Sequence, residues 1–253
     1  MQTKFSTKPR KDAVSEAETV RTAGGARDRT KRLTAMALLS AAAYILTLLS
    51  HSIPAVEGFL RYDPADIVIV VGGFLFGPLT ALLISLVVSF MEFITISNTG
   101  VIGLVMNIIS TAAFACAAAF IYKRRQTMPG AVMSLAAGVV AMTVMMLLWN
   151  YIITPLYMAN VSRAQVTAML IPIFLPFNLL KGTINAAVTL LLYKPLVTAL
   201  RRARLISVTR GGAVLSEEAP RNPRQQFSKA MMIPAAIVLL TCALVLLAWA
   251  GVI

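Results

Sequence analysis

Charge is scarce in this chain. Asp, Glu, Lys and Arg make up 13% of its 253 residues against 58% hydrophobic residues, a balance that excludes an ordinary soluble domain. Acids are rarer than bases, 10 against 23. The two cysteines, Cys116 and Cys242, both lie in apolar stretches, so neither a disulfide framework nor metal-ligand spacing is available. The single histidine, His51, has no evident relay partner and is assigned no role. No G-x-x-x-x-G-K-[ST] occurs. The nearest fragment, Lys181-Gly182-Thr183, lacks the glycine-rich loop, so the chain does not read as an ATPase. H-E-x-x-H, G-x-S-x-G and a cluster of membrane carboxylates suited to acid–base work are absent too. The sequence therefore argues for no enzyme, no cofactor and no metal.

What is present is a series of apolar runs of about 18 residues or more, the mark of a helical membrane protein. The runs are continuous instead of alternating, which disfavours a β-barrel. The net charge of +13 suggests nucleic acid until the basic residues are located. Nine precede Leu33, three are Lys123–Arg125, and eight fall between Lys194 and Lys229. They flank the spans, so they read as inner-leaflet topology signals.

Residues 1–32 are basic and polar and are expected to be a disordered cytoplasmic tail. A first helix follows from about Leu33 to Ser50, carrying Ala37-xxx-Ala41, a small-residue ridge for close helix approach. That ridge serves either internal packing or a partner protein. His51 to Asp66 is a loop with apolar side chains, of the kind that folds back as a lid. Asp63, Pro64 and Asp66 read as a helix start, with both acids as caps. Ile67 to Thr95, as one helix, would span ~44 Å. Two crossings that turn at Gly77-Pro78 put every basic cluster on one side, so a short second helix, Ala65–Phe76, is expected. Glu92 falls near the outer end of the third helix. Val101–Tyr122 and Pro129–Tyr157 are the fourth and fifth, and Ser162-Arg-Ala-Gln165 is a capping box leading into the sixth. Residues 33–200 thus form a six-helix domain, 201–231 a basic cytoplasmic linker, and 232–253 a seventh helix that puts the C-terminus outside.

The sixth span, Ile171–Leu196, carries Asn178, Lys181 and Asn185 within about 60° of one another. An ammonium in hydrocarbon costs ~2.5 kcal/mol or more, so Lys181 must face a partner, a ligand or water. Asn107, Asn150 and Asn178 reach similar outer depths. Amides donate and accept, and lysine donates, which suits a neutral heteroaromatic ligand rich in carbonyls and ring nitrogens. The competing reading is interhelical hydrogen bonding. Asn185, one turn deeper than Lys181, is ranked as a packing residue.

Tyr62-Asp-Pro-Ala-Asp66 through Gly72-Gly-Phe-Leu-Phe-Gly-Pro78, Thr99-Gly100 with Asn107, Asn150-Tyr151 through Pro155, and Pro176-Phe-Asn-Leu-Leu-Lys-Gly182 carry a resemblance. Over about residues 33–200 the chain resembles the substrate-binding (S) component of energy-coupling-factor (ECF) vitamin transporters, specifically the riboflavin-binding kind. The resemblance implies an all-α membrane bundle of six helices, here with a seventh added, in the cell membrane with its N-terminus cytoplasmic. It implies capture of riboflavin from outside, with a separate coupling protein and two cytoplasmic ATPases supplying the energy. Asn150, Asn178 and Lys181 would bond the isoalloxazine edge, with Asn107 nearby. The loop containing Phe59, Leu60, Tyr62 and Asp63 would gate, and Ala37 and Ala41 would meet the coupling protein. An S component for another flavin or vitamin, or a stand-alone facilitator, remains the alternative.

Overall fold

The computed structural model describes residues 11–52, 61–97, 99–157, 162–203 and 205. Among these every regular element is helical, and six helices form one bundle. They are α1 (Lys11–Ser50), α2 (Ala65–Phe76), α3 (Pro78–Thr95), α4, α5 (Met128–Tyr157) and α6. α4 runs as Gly100–Thr111 and Ala117–Arg124 through a π-helical turn, Ala112–Cys116. α6 starts as Arg163–Met169, passes a second π-helical turn, Leu170–Phe174, and continues as Leu175–Arg202. Among the described residues five stretches are long and apolar enough to cross a membrane: Arg29–Ser50, Pro78–Thr95, Gly100–Arg124, Pro129–Leu156 and Arg163–Leu200.

α2 is the exception and the centre. Its sequence, ADIVIVVGGFLF, is apolar on every face beyond Asp66, and such a helix belongs in a core. It is buried from Ala65 to Phe74 and packs against α1, α3, α4 and α6. Its twelve residues span only ~18 Å, as expected of the short second helix. Gly73 permits that packing: a Cβ there would stand 3.0 Å from the Cβ atoms of both Ala81 and Ala119. The turn into α3 falls on Gly77 at φ +96°, a conformation open to glycine, and Pro78 occupies the first turn of α3. Arg32 of α1 braces that turn. Its Nη2 donates to the Phe76 carbonyl at 3.1 Å and to Thr80 Oγ1 at 2.9 Å.

α1 buries Ala35, Leu39, Ala43 and Thr47, a stripe at spacing four that faces the core. It begins at Lys11, so residues 11–32, expected as disordered tail, instead extend the helix. The reason is visible in their composition. After Pro9 the segment holds no proline and is rich in Ala, Glu, Lys and Arg, so a helix nucleated by the apolar span propagates backward through it. Apart from residues 201–203 and 205, the linker and the seventh apolar run lie outside the described residues.

At the end of the bundle where α2, α4 and α6 finish, Phe74 stacks on Tyr122 with ring centroids 4.2 Å apart, and Tyr193 meets Phe74 edge-on at 6.1 Å. Lys123 and Arg124 close α4 at that end. The capping box is formed on α6: Ser162 Oγ accepts from the Gln165 N–H, and the Ser162 N–H donates to Gln165 Oε1 at 2.7 Å. The π-helical turn that follows contains Pro172, which has no N–H to give to the α-helical ladder. The other end of the bundle is polar.

Candidate functional site

At that polar end the helices enclose a cavity of about 150 Å³. Thr47 and Ser50 come from the last turn of α1, and Tyr62 and Asp63 from the approach to α2. Glu92 comes from α3, Asn107 and Ser110 from α4, and Asn178 and Lys181 from α6. Met106, Met146 and Phe177 supply apolar wall. The Asn107–Ser110 spacing on one face of α4 and the Asn178–Lys181 spacing on α6 bring these side chains to one wall each.

Lys181 answers the question its sequence position raises. Its Nζ lies 3.6 Å from Asp66 Oδ2, and its side chain is 11% exposed while that of Asp66 is 0% exposed. Asp66 stands behind Lys181, in the first turn of α2, and is bonded from two further directions. Thr111 Oγ1 donates to its Oδ1 at 2.6 Å, and Asn185 Nδ2 donates to its Oδ2 at 3.3 Å. One carboxylate thus ties α2 to α4 and α6 and compensates the intramembrane ammonium. A buried charge held this way avoids the penalty of an unpaired one.

Asp63 is tied separately. Its Oδ1 accepts from the Ala65 N–H at 3.0 Å and from Thr47 Oγ1 at 3.2 Å, and its carbonyl accepts from Asn185 Nδ2 at 3.1 Å. The first of these bonds is the helix-start role expected of it. Burial pushes the Asp63 carboxyl above its ordinary range and the nearby Asp66 adds to this, against the opposing pull of Lys181, the Ala65 N–H and the Thr47 hydroxyl. Tyr62 beside it is raised as well, by burial first and then by the charges of Asp66 and Asp63. Glu92 Oε2 accepts from Asn107 Nδ2 at 2.7 Å. Asn178 Nδ2 donates to the Phe174 carbonyl at 2.7 Å, which fixes the amide against the π-helical turn of α6.

Residues 31–193 match the family described as "ECF transporter, substrate-specific component". This chain belongs to that family. Three comparisons agree with the assignment. The S component is 28% identical over 188 residues to the riboflavin transporter FmnP of Bacillus subtilis strain 168, covering 70% of this chain and 99% of the relative. It is 28% identical over 177 residues to the riboflavin transporter RibU of Staphylococcus aureus strain TCH60, covering 68% and 93%. A solved structure described as "Structure and mechanism of the S component of a bacterial ECF transporter" matches with a TM-score of 0.57 at 28% identity, over 69% of this chain and 99% of that one. The bundle is that of a multi-pass membrane transporter subunit, and its relatives are transport proteins, not enzymes.

Of the residues singled out in the sequence, Asn107, Asn178, Lys181, Tyr62 and Asp63 reach the cavity of this S component. Asn150 is not on its wall. It is buried on α5, where its Nδ2 donates to the Met146 carbonyl at 2.7 Å and its Oδ1 accepts from Thr154 Oγ1 at 2.9 Å. Phe59 and Leu60 lie outside the described residues. Asn185 is fully buried between the Asp63 carbonyl and Asp66, a packing position. Ala37 and Ala41 are exposed on the face of α1 turned away from the core. Sequence reasoning missed Asp66 as the partner of Lys181, Thr47 and Ser50 as wall residues, and Glu92, which was set aside as near the surface.

Proposed function

We propose that this S component binds riboflavin in the cavity between α1, α3, α4 and α6 and delivers it inward with a separate ECF coupling protein and two ATPase subunits. The observation that carries the reading is the convergence of Asn107, Asn178 and charge-compensated Lys181 beside Phe177 and two methionines. An amide-lined wall with one donor whose charge is already cancelled suits a neutral ring system with carbonyls and ring nitrogens along one edge. The riboflavin transporters among the relatives, matched over nearly their whole length, support the same ligand. The exposed Ala37-xxx-Ala41 ridge of α1 suits close approach by a helix of the coupling protein. The basic residues near the opposite end of the bundle support an orientation with that end and the N-terminus cytoplasmic, the cavity facing outward and the C-terminus outside.

The test is direct. The purified full-length protein is expected to be yellow, or to take up added riboflavin with quenching of flavin fluorescence. Lys181→Ala and Asn178→Ala are each expected to weaken binding by at least ~1 kcal/mol, as loss of a buried hydrogen-bonding partner does. A colourless protein that ignores riboflavin overturns the ligand assignment. Titration curves unchanged in both variants would return these residues to packing.

A further inference from the structure

The cavity is built around a charge that is present and cancelled. Lys181 faces the cavity, and Asp66, fully buried, stands behind it at 3.6 Å. Asp66 does not touch the cavity itself and so contacts no ligand directly. Its two oxygens are held by Thr111 and Asn185 as well as by Lys181, which leaves it little freedom to follow the ammonium away. The remaining ionisable groups among the described residues around the cavity are Tyr62 and Asp63 on the approach to α2, Glu92 on α3, and Arg61 and His51.

We propose that Asp66 is a positioning and specificity-determining residue: it fixes the Lys181 ammonium at the cavity wall and cancels its charge, so that the site holds a neutral ring edge in preference to an anionic one. This rests on the flavin reading of the site. Oxidised riboflavin presents a neutral carbonyl edge to a donor. Two-electron reduction with uptake of one proton gives the dihydroflavin anion, whose negative charge lies on the N1–C2 carbonyl side of the same ring. An uncompensated ammonium beside that edge favours the anion, and a compensated one does not. Asp66→Asn keeps the side-chain shape and the acceptor for Thr111 but removes the one carboxylate in contact with Lys181 among the described residues, leaving Asp63 and Glu92 as its more distant acidic neighbours.

The experiment measures binding of oxidised and dithionite-reduced riboflavin to the full-length protein above pH 7, together with the midpoint potential of the bound flavin. In Asp66→Asn the preference for oxidised over reduced flavin is expected to fall by about tenfold, of the order expected for one charge removed at ~10 Å in a protein interior. That change is a rise of about 30 mV in midpoint for a two-electron couple. Lys181→Gln, approached from the other side, is expected to move the midpoint down, and the double variant to return toward the wild-type value. A residue that only supports the fold would weaken both forms equally and leave the potential where it was. An unmoved potential in Asp66→Asn, or shifts of the same sign in the two single variants, overturns the proposal while the flavin reading stands. A wild-type protein that binds no flavin overturns both.

Discussion

At the scale of single residues, the site is a set of carboxylates made tolerable in different ways. Asp66 has three partners, and the Thr111 hydroxyl gives it the shortest bond, 2.6 Å to a fully buried oxygen. Thr111→Val removes a charge-assisted bond without changing shape and is expected to cost about 2 kcal/mol in unfolding measurements on the detergent-solubilised protein. Asp63 behaves in the opposite sense, because its native pKa is raised above its ordinary 3.8. The native state then holds a proton that the unfolded state releases, so stability from this group is greatest below about 3.8 and is lost as pH rises toward the native value. Asp63→Asn keeps an acceptor for the Ala65 N–H and Thr47, and should leave thermal stability less sensitive to a change from pH 5 to pH 8 than in the wild type. A wild-type melting temperature that rises over that interval relative to the variant would contradict this. Much of the Lys181 story was legible beforehand. An intramembrane ammonium needs a counter-charge, and between residues 33 and 200 only Glu57, Asp63, Asp66 and Glu92 are acids. Asp66 was passed over because an acid two residues after Pro64 also satisfies a helix start, and one sequence position cannot show which demand its side chain meets.

At the scale of elements, the short second helix was readable from charge counting and from Gly77-Pro78, since a single crossing would have exported two basic clusters. The structure sharpens the reason this turn works. A side chain at Gly77 would meet no atom within 4 Å, so the restriction there is the backbone alone, at φ +96°. Gly77→Ala is therefore expected to cost about 1–3 kcal/mol in stability from backbone strain with no steric contribution. Gly73→Ala is a different case, pressed against Ala81 and Ala119, and should separate α2 from α3 and α4. Comparing riboflavin affinity in the two checks this: the Gly73 variant is expected to lose more, because α2 carries Asp66. The π-helical turns were not legible. Pro172 marks one of them, but Ala112–Cys116 holds nothing that a hydrophobicity pattern distinguishes from ordinary helix. Asn150 shows the same limit. Its place along an apolar span does not reveal that Met146 and Thr154 already use its amide.

At the scale of the whole molecule, the described residues that line the cavity all fall between Thr47 and Lys181, within the span that matches the family. A chain ending after Leu205 is accordingly expected to bind riboflavin within about twofold of the full-length protein, checked by fluorescence titration. Proteoliposomes holding this subunit alone should take up no riboflavin against a gradient, since nothing in the chain reads as an ATP site. Accumulation without partners would favour the facilitator instead. One feature joins the two ends of the molecule. α2 has core neighbours on α1, α3, α4 and α6, starts at the acid that holds Lys181, and stops at the turn gripped by Arg32. It is a strut, not a wall. Buried from Ala65 to Phe74, it makes the acid behind Lys181 and the far turn of the bundle two ends of one rigid piece. A load applied at Gly77-Pro78 is thereby delivered, twelve residues away, to the wall of the polar cavity.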